Sequence, residues 1–294
     1  MKNLKVPYFI VFIILLTTSF SGCDLINPDE QAPGFIQIDS FIFDPTPTLG
    51  ELGPSTSTNI RDVWVYLDNE FQGVYELPAK FPVLKSGATN VILSPGILLN
   101  GIAATRSPYP FYRGNISQVT ISELGTVTMS PVVSYFDSIQ CSFCEDFEGS
   151  GFSLTTTAAS DTLMYQTDAA DPVNFEGLCG KVTLDQNDTR FELTSTTAYD
   201  LPGSGAAVYL ELDYKINQTM LAGIFIVTPN LPDEQIGLIN LKATTEWNKI
   251  YVQLGYTVSA YPDASGYKIF FGAVKNPDIP VAEFYLDNIK VVHF

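Results

Sequence analysis

Alternation is the feature that most limits what this chain can become. From Phe35 onward apolar and polar residues exchange at nearly every step, in Phe35-Ile36-Gln37-Ile38, in Asp62-Val63-Trp64-Val65-Tyr66-Leu67 and in Val208-Tyr209-Leu210-Glu211-Leu212-Asp213-Tyr214. A period of two sends successive side chains to opposite faces of a strand, and the β-branched and aromatic residues that fill it suit a pleated backbone. Hardly any segment carries an apolar period of 3.6 residues long enough to compete. The sequence therefore predicts an all-β protein. With 294 residues and roughly 100–200 residues per domain, two β-sandwich domains are expected, over residues 35–136 and 141–294.

The first 22 residues fall outside this pattern. Lys2 and Lys5 precede an uncharged apolar run from Tyr8 to Leu16, and small and polar residues follow up to Cys23. The run is shorter than the ~20 residues of a spanning helix and has the layout of a secretion signal. Phe20-Ser21-Gly22-Cys23 resembles the lipobox of bacterial lipoproteins, with Phe20 where leucine is usual. That resemblance implies removal of residues 1–22 and lipidation of Cys23, whose acyl chains hold a protein on a bilayer at about 0.8 kcal/mol per buried methylene. Residues 23–34 then form a polar, flexible tether. Asp24, Asp29 and Glu30 behind the cysteine resemble the surface-export signal of Bacteroidota lipoproteins, which implies the outer membrane, facing the cell exterior.

Charge closes off other functions. The chain has 15 Lys+Arg against 32 Asp+Glu; without Lys2 and Lys5 the balance is 13 against 32, or −19. Nucleic acid demands clustered cations that this chain does not supply. The single histidine, His293, removes the commonest general base from almost the whole length. Glu211 and Asp213 share one strand face, but the Glu-x-Asp-x-Glu pattern of sandwich-type glycosidases has Lys215 in its third place. No enzyme activity is expected.

Within residues 35–136, two alternating runs flank Asp68-Asn69-Glu70, a hairpin signal. The order of strand, polar turn, Pro-bearing segment and "PGI" over about residues 60–105 resembles small PEGA-type and immunoglobulin-like modules, which implies a spacer or adhesive role. The segment from Asn100 to Arg113 concentrates Arg106, Tyr109, Phe111, Tyr112 and Arg113 between prolines. Rigid aromatics with arginine suit a contact surface; alternatively the aromatics are core and Arg106 is a local ion-pair partner.

In residues 141–294 the opening Asp146-Phe147-Glu148, the central strand around Glu211 and the terminal Phe284 to Val291 resemble the jelly-roll of carbohydrate-binding and galactose-binding-like modules. That resemblance implies adjacent first and last strands and a structural calcium held by Asp287, with Glu148, Asp146 or Glu145 as further donors; calcium takes roughly six to eight oxygens, and the alternative is a solvated acidic edge without a metal. It also implies glycan binding, with Trp247 and Tyr251, four apart on one strand, as stacking platforms; alternatively these rings belong to the sandwich core. Cys141, Cys144 and Cys179 suit an oxidising compartment, with a bridge from Cys144 or Cys141 to Cys179 expected, free buried thiols as the alternative, and a redox Cys-x-x-Cys disfavoured because no helix follows it.

Two functions follow. The chain is either a lipid-anchored structural or interaction subunit of an outer-membrane protein complex, presenting the aromatic-arginine segment to protein partners, or a surface glycan-binding lipoprotein.

Overall fold

The computed structural model describes residues 31–294. The signal segment 1–22 and Cys23 lie outside the described residues, as does most of the tether; Gly34, expected at the tether's end, already belongs to the first strand. No described helix is long and apolar enough to cross a membrane.

The chain is all-β. Eleven strands precede residue 136: β1 (Gly34–Ile38), β2 (Ile42–Phe43), β3 (Asp62–Leu67), β4 (Glu70–Glu76), β5 (Ala79–Val83), β6 (Gly87–Leu98), β7 (Arg106–Pro108), β8 (Tyr112–Arg113), β9 (Asn115–Ile121), β10 (Thr126–Met129) and β11 (Val132–Tyr135). A sheet ordered β4-β3-β6-β7, with β9 also on β6, faces a sheet ordered β10-β1-β5. The inward alternates of both sheets make the core: Ile36 and Ile38 from β1, Val63 and Val65 from β3, Phe81 from β5, Leu93 from β6. The hairpin expected at Asp68 is present, with Leu67 opposite Glu70 and both Asp68 and Asn69 at positive φ, 50° and 70°. A two-residue turn of that handedness matches the twist of the strands it joins.

Eleven strands follow: β12 (Gln140–Glu145), β13 (Leu154–Thr156), β14 (Tyr165–Gln166), β15 (Gly180–Leu184), β16 (Arg190–Ser195), β17 (Val208–Ile216), β18 (Met220–Val227), β19 (Glu234–Leu241), β20 (Asn248–Gln253), β21 (Gly266–Val274) and β22 (Ala282–His293). One sheet is ordered β14-β15-β22-β17-β20 with β12 also on β22; the other is ordered β13-β16-β21-β18-β19. They close as a jelly-roll sandwich over Leu184, Leu212 and Phe284 from one side and Leu193, Ile224 and Phe271 from the other. The first and last strands of this body, β12 and β22, are neighbours as expected.

The two bodies share a third core. Tyr109, Phe111, Tyr112 and Tyr135 pack against Tyr209, Tyr251 and Val292, with Tyr109 and Tyr209 edge to face at 5.3 Å. The outer face of the six-stranded sheet is thereby covered by the preceding body. This corrects the reading of the aromatic-arginine segment as a surface for an external partner. Tyr109, Phe111 and Tyr112 are buried inside the chain; Arg106 pairs with Asp62 and, at 3.1 Å, with Glu76; Arg113 pairs with Asp137 at 3.0 Å. Large planar rings gain most when fully desolvated, and here the desolvating partner is the second half of the same chain.

The disulfide joins Cys141 to Cys144, and Cys179 is free and buried. Register explains the departure from the expected bridge to Cys179. Cys144 stands opposite Lys290 and Gly180 opposite Leu286, so Cys179 falls about three residues further along β22. At ~3.3 Å per residue that is about 10 Å, beyond the roughly 7 Å Cα separation a disulfide spans. Burial pushes the Cys179 thiol up to about 11.

Candidate functional site

Three places gather polar chemistry: the covered sheet face, the outer face of the five-stranded sheet, and a cleft between the bodies.

On the covered face β17 carries Glu211 and Asp213, both on the side turned to the first body and both essentially without solvent contact. Tyr109 Oη donates to Glu211 Oε1 at 2.5 Å, and Tyr135 Oη reaches both Glu211 oxygens at 2.9 and 2.8 Å. Ser57 Oγ donates to Asp213 Oδ1 at 2.6 Å. From β20, Lys249 Nζ lies 3.3 Å from Glu211 Oε2 and 3.7 Å from Asp213 Oδ2, at ion-pair range but without a directed hydrogen bond. The Tyr251 hydroxyl receives the Asn59 N–H at 3.0 Å and meets the Tyr112 hydroxyl at 3.0 Å. Burial, then the Glu211 charge, raises the Tyr109 and Tyr135 hydroxyls well above the usual phenol range. Burial alone would lower Lys249, but Asp213 and Glu211 outweigh it and hold the ammonium above its ordinary value. Lys290 on β22 is pushed down to about 8 by burial and then by the Lys249 charge. These carboxylates link the two bodies: Glu211 accepts from Tyr109 and Tyr135, Asp213 accepts from Ser57, and both lie at ion-pair range of Lys249, buried away from any solvent-borne sugar.

Asp287 also belongs to this buried group. It is opposite Asp213 in the β17–β22 register, its Oδ1 receives the Asn288 N–H at 2.7 Å, and its Oδ2 has no partner. Burial raises it to about 7. The calcium set is not assembled: Glu145 accepts the N–H groups of Phe147 and Ser153, Asp146 that of Glu148, and Glu148 that of Leu178. Each carboxylate is engaged by backbone N–H groups, Asp146 within its own turn and Glu148 across to Leu178 thirty residues on. Among the described residues no group of three or more Asp, Glu, His or Cys side chains is placed to hold a metal ion.

The glycan platform expected from Trp247 and Tyr251 does not form. Tyr251 is 1% exposed inside the shared core. Trp247, just ahead of β20, stacks on Phe175 at 5.3 Å and donates its indole N–H to Val173 O at 2.7 Å.

No described sheet covers the outer face of the five-stranded sheet, although Glu192, Thr194 and Phe270 on it are buried by neighbouring side chains. Its register aligns Thr194, Phe270 and Gly223 in one row, Glu192, Gly272 and Leu221 in the next, and Lys268, Phe225 and Gln235 in a third. Phe225, partly exposed, packs at 5.2 Å against Phe270, whose ring is fully buried, beside glycines that add no height. A Cβ on Gly223 would run into Ile236 O and the Phe270 ring, so that position requires glycine. Gln235 Nε2 donates to Glu192 Oε2 at 2.9 Å although β21 and β18 lie between their strands. With strands ~4.8 Å apart, two side chains meet over two intervening strands only when the face is hollow. Thr157 Oγ1 holds the other Glu192 oxygen at 2.7 Å. The bridge divides the trough into two depressions of about 270 and 360 Å³, both bordered by Glu192. The sequence marked β18 and β21 as strands without distinguishing this face; the available signal was the apolar outward positions Leu221, Phe225 and Phe270, where a solvated face would be polar.

The cleft between the bodies has a volume of about 710 Å³, within the roughly 300–1,000 Å³ of small-molecule sites.

No family model matches the sequence, and no curated protein matches it. By structure, the chain is similar to the enzymatically active domain of tailspike protein 4 of bacteriophage CBA120 (TM-score 0.34, 16% identity, covering 50% of this chain and 20% of that one). It is similar to the C-terminal family 22 carbohydrate-binding module of a Clostridium thermocellum xylanase (0.36, 13%, 51% and 91%). A family 11 carbohydrate-binding module of a Clostridium thermocellum cellulosomal cellulase gives 0.33, 17%, 51% and 92%. The chain thus spans only a fifth of the tailspike domain.

Proposed function

We propose that the protein is a non-enzymatic glycan-binding lipoprotein of the outer membrane, displayed by the lipid on Cys23, whose saccharide site is the trough over the five-stranded sheet. The observation that carries the reading is the combination of the partly exposed Phe225 ring, backed by the buried Phe270, with an acid and amide rim at Glu192 and Gln235. A sugar ring offers a C–H face and a hydroxyl edge. The C–H face suits the Phe225 ring, and the hydroxyls suit groups that both accept and donate. Two depressions side by side, parted by the Gln235–Glu192 bridge, suit neighbouring units of a sugar chain better than a single small molecule.

The trough has a direct test. In retardation gels against a polysaccharide panel, the exported chain is expected to be slowed by at least one polymer, and Phe225→Ala to weaken that binding about tenfold, equivalent to about 1.4 kcal/mol. Unchanged retardation in the variant removes the trough as the site; no retardation by any polymer removes the glycan reading. Display is tested separately. Cys23→Ser is expected to move the protein from the membrane fraction to the soluble one, and membrane retention of the variant contradicts lipid anchoring.

The alternative, a subunit docking through the Arg106–Arg113 segment, loses its surface because that segment is consumed in the contact between the two bodies.

A further inference from the structure

The cleft between the bodies has a chemistry opposite to the rest of the molecule. Its walls come from both halves: Asn59, Arg61 and the turn Asn100–Ala103 from the first, and β19, the start of β20 and Tyr214 from the second. The turn is clamped in place. Asn100 N donates to Tyr251 O at 2.9 Å, the Asn100 side-chain oxygen receives the Gln253 N–H at 2.8 Å, and Asn100 and Gly101 take positive φ of 53° and 65° to allow it. In a chain with 32 acidic and 15 basic residues, the described lining of this cleft contains no Asp or Glu and includes Arg61, Lys242 and Lys249. Lys249 is engaged with Glu211 and Asp213. Arg61 and Lys242 are exposed and, among the described residues, form no ion pair.

Hydrogen-bonding capacity remains on the walls. Tyr214 Oη accepts from Asn248 Nδ2 at 3.0 Å and keeps its own proton for a ligand. The Asn240 side chain makes no hydrogen bond to another described residue. Asn240 also borders one depression of the trough, so trough and cleft join over the edge strand β19. The depression bordered by Asn240 thus adjoins a basic, amide-lined cleft.

We propose that this cleft binds a carboxylated sugar, a hexuronate unit of a saccharide, with Arg61 and Lys242 receiving the carboxylate and Asn240 and Tyr214 the hydroxyls. A planar guanidinium matches a carboxylate with two parallel N–H bonds, and a lysine adds a point charge. The site exists only while the two bodies are docked, since each supplies one wall. The proposal shares with the trough only the continuity at Asn240, so either site can fail alone.

The test uses the exported chain, titrated calorimetrically with galacturonate, glucuronate and mannuronate trimers and with a neutral galactose trimer, at low and high salt. At least one uronate trimer is expected to bind ten times more tightly than the neutral trimer, with an advantage that shrinks as salt rises. Arg61→Gln combined with Lys242→Gln is expected to abolish that advantage, while Phe225→Ala leaves it intact. Both substitutions are at exposed positions, and an unchanged melting temperature confirms folding. Three outcomes each overturn the proposal: no uronate trimer binding at millimolar concentration, equal binding of acidic and neutral trimers, or an advantage that survives the double substitution. Loss of the advantage in Phe225→Ala would assign it to the trough instead.

Discussion

Glu211→Ala is expected to lower stability by about 3–5 kcal/mol, the cost of removing one partner from a buried, hydrogen-bonded ion cluster. The substitution takes away the acceptor of both Tyr109 and Tyr135 and one of the two carboxylates that neutralise Lys249. None of these groups has water to turn to, because all lie inside the contact between the bodies. Tyr135→Phe is expected to cost less, about 1–2 kcal/mol, since the ring still fills its place and Glu211 keeps the Tyr109 hydrogen bond and the Lys249 ion pair. Urea denaturation of both variants measures the difference. A Glu211→Ala midpoint within error of the parent would show that the cluster does not hold the bodies together. The expected order also has a structural readout: loosened docking exposes the turn at Asn100 and the β11–β12 connection to protease before either sandwich unfolds.

Asp287→Asn is expected to act in the other direction and only in one pH range. Asp287 is raised to about 7 in the folded chain, against about 3.9 when unfolded. An acid with a raised folded value contributes stability that is complete below about pH 3.9 and is lost as pH rises through about 7. Asparagine keeps the acceptor for the Asn288 N–H and carries no charge to bury. The variant should therefore match the parent at pH 4 and exceed it at pH 7.5 by about 2–4 kcal/mol, from about three pH units at ~1.4 kcal/mol each. Lys290 provides an internal control. Its folded value is depressed to about 8, so its contribution is present above about pH 10.4 and lost as pH falls through about 8. That alkaline limb should be the same in parent and variant. A stability difference that is constant from pH 4 to pH 7.5 would show that Asp287 is not titrating in the folded state.

How far the sequence reached depended on range. Strand periodicity is local, so β3, β17, β20 and β22 and the Asp68-Asn69 turn were legible from their own residues. The pairing of Glu211 with Tyr109 joins positions 102 residues apart, and nothing in either segment names the other. Glu211 and Asp213 were correctly placed on one face, but whether that face meets water or another body is decided by the docking of the halves. The same holds for Tyr109, Phe111 and Tyr112: their aromatic chemistry announced a contact and not its partner. Tyr251 failed as a sugar platform for the same reason. Cys179 was misjudged because disulfide reach depends on register along β22. The trough was hidden differently: it is lined by glycines and by phenylalanines that also read as ordinary core.

The place of β22 in the second sandwich has a consequence for how the molecule is made. It is the last strand in sequence and touches β12, β15 and β17, so the six-stranded sheet has no spine until residues 282–293 have arrived. β12 waits for a partner almost 150 residues downstream, and closing so long a loop makes sheet formation slow compared with hairpin formation. A chain emerging N-terminus first, from a ribosome or a membrane channel, therefore cannot lock this half prematurely. Arrival of β22 is thus the event that completes the six-stranded sheet and, with it, the wall that β17 and β20 give to the cleft.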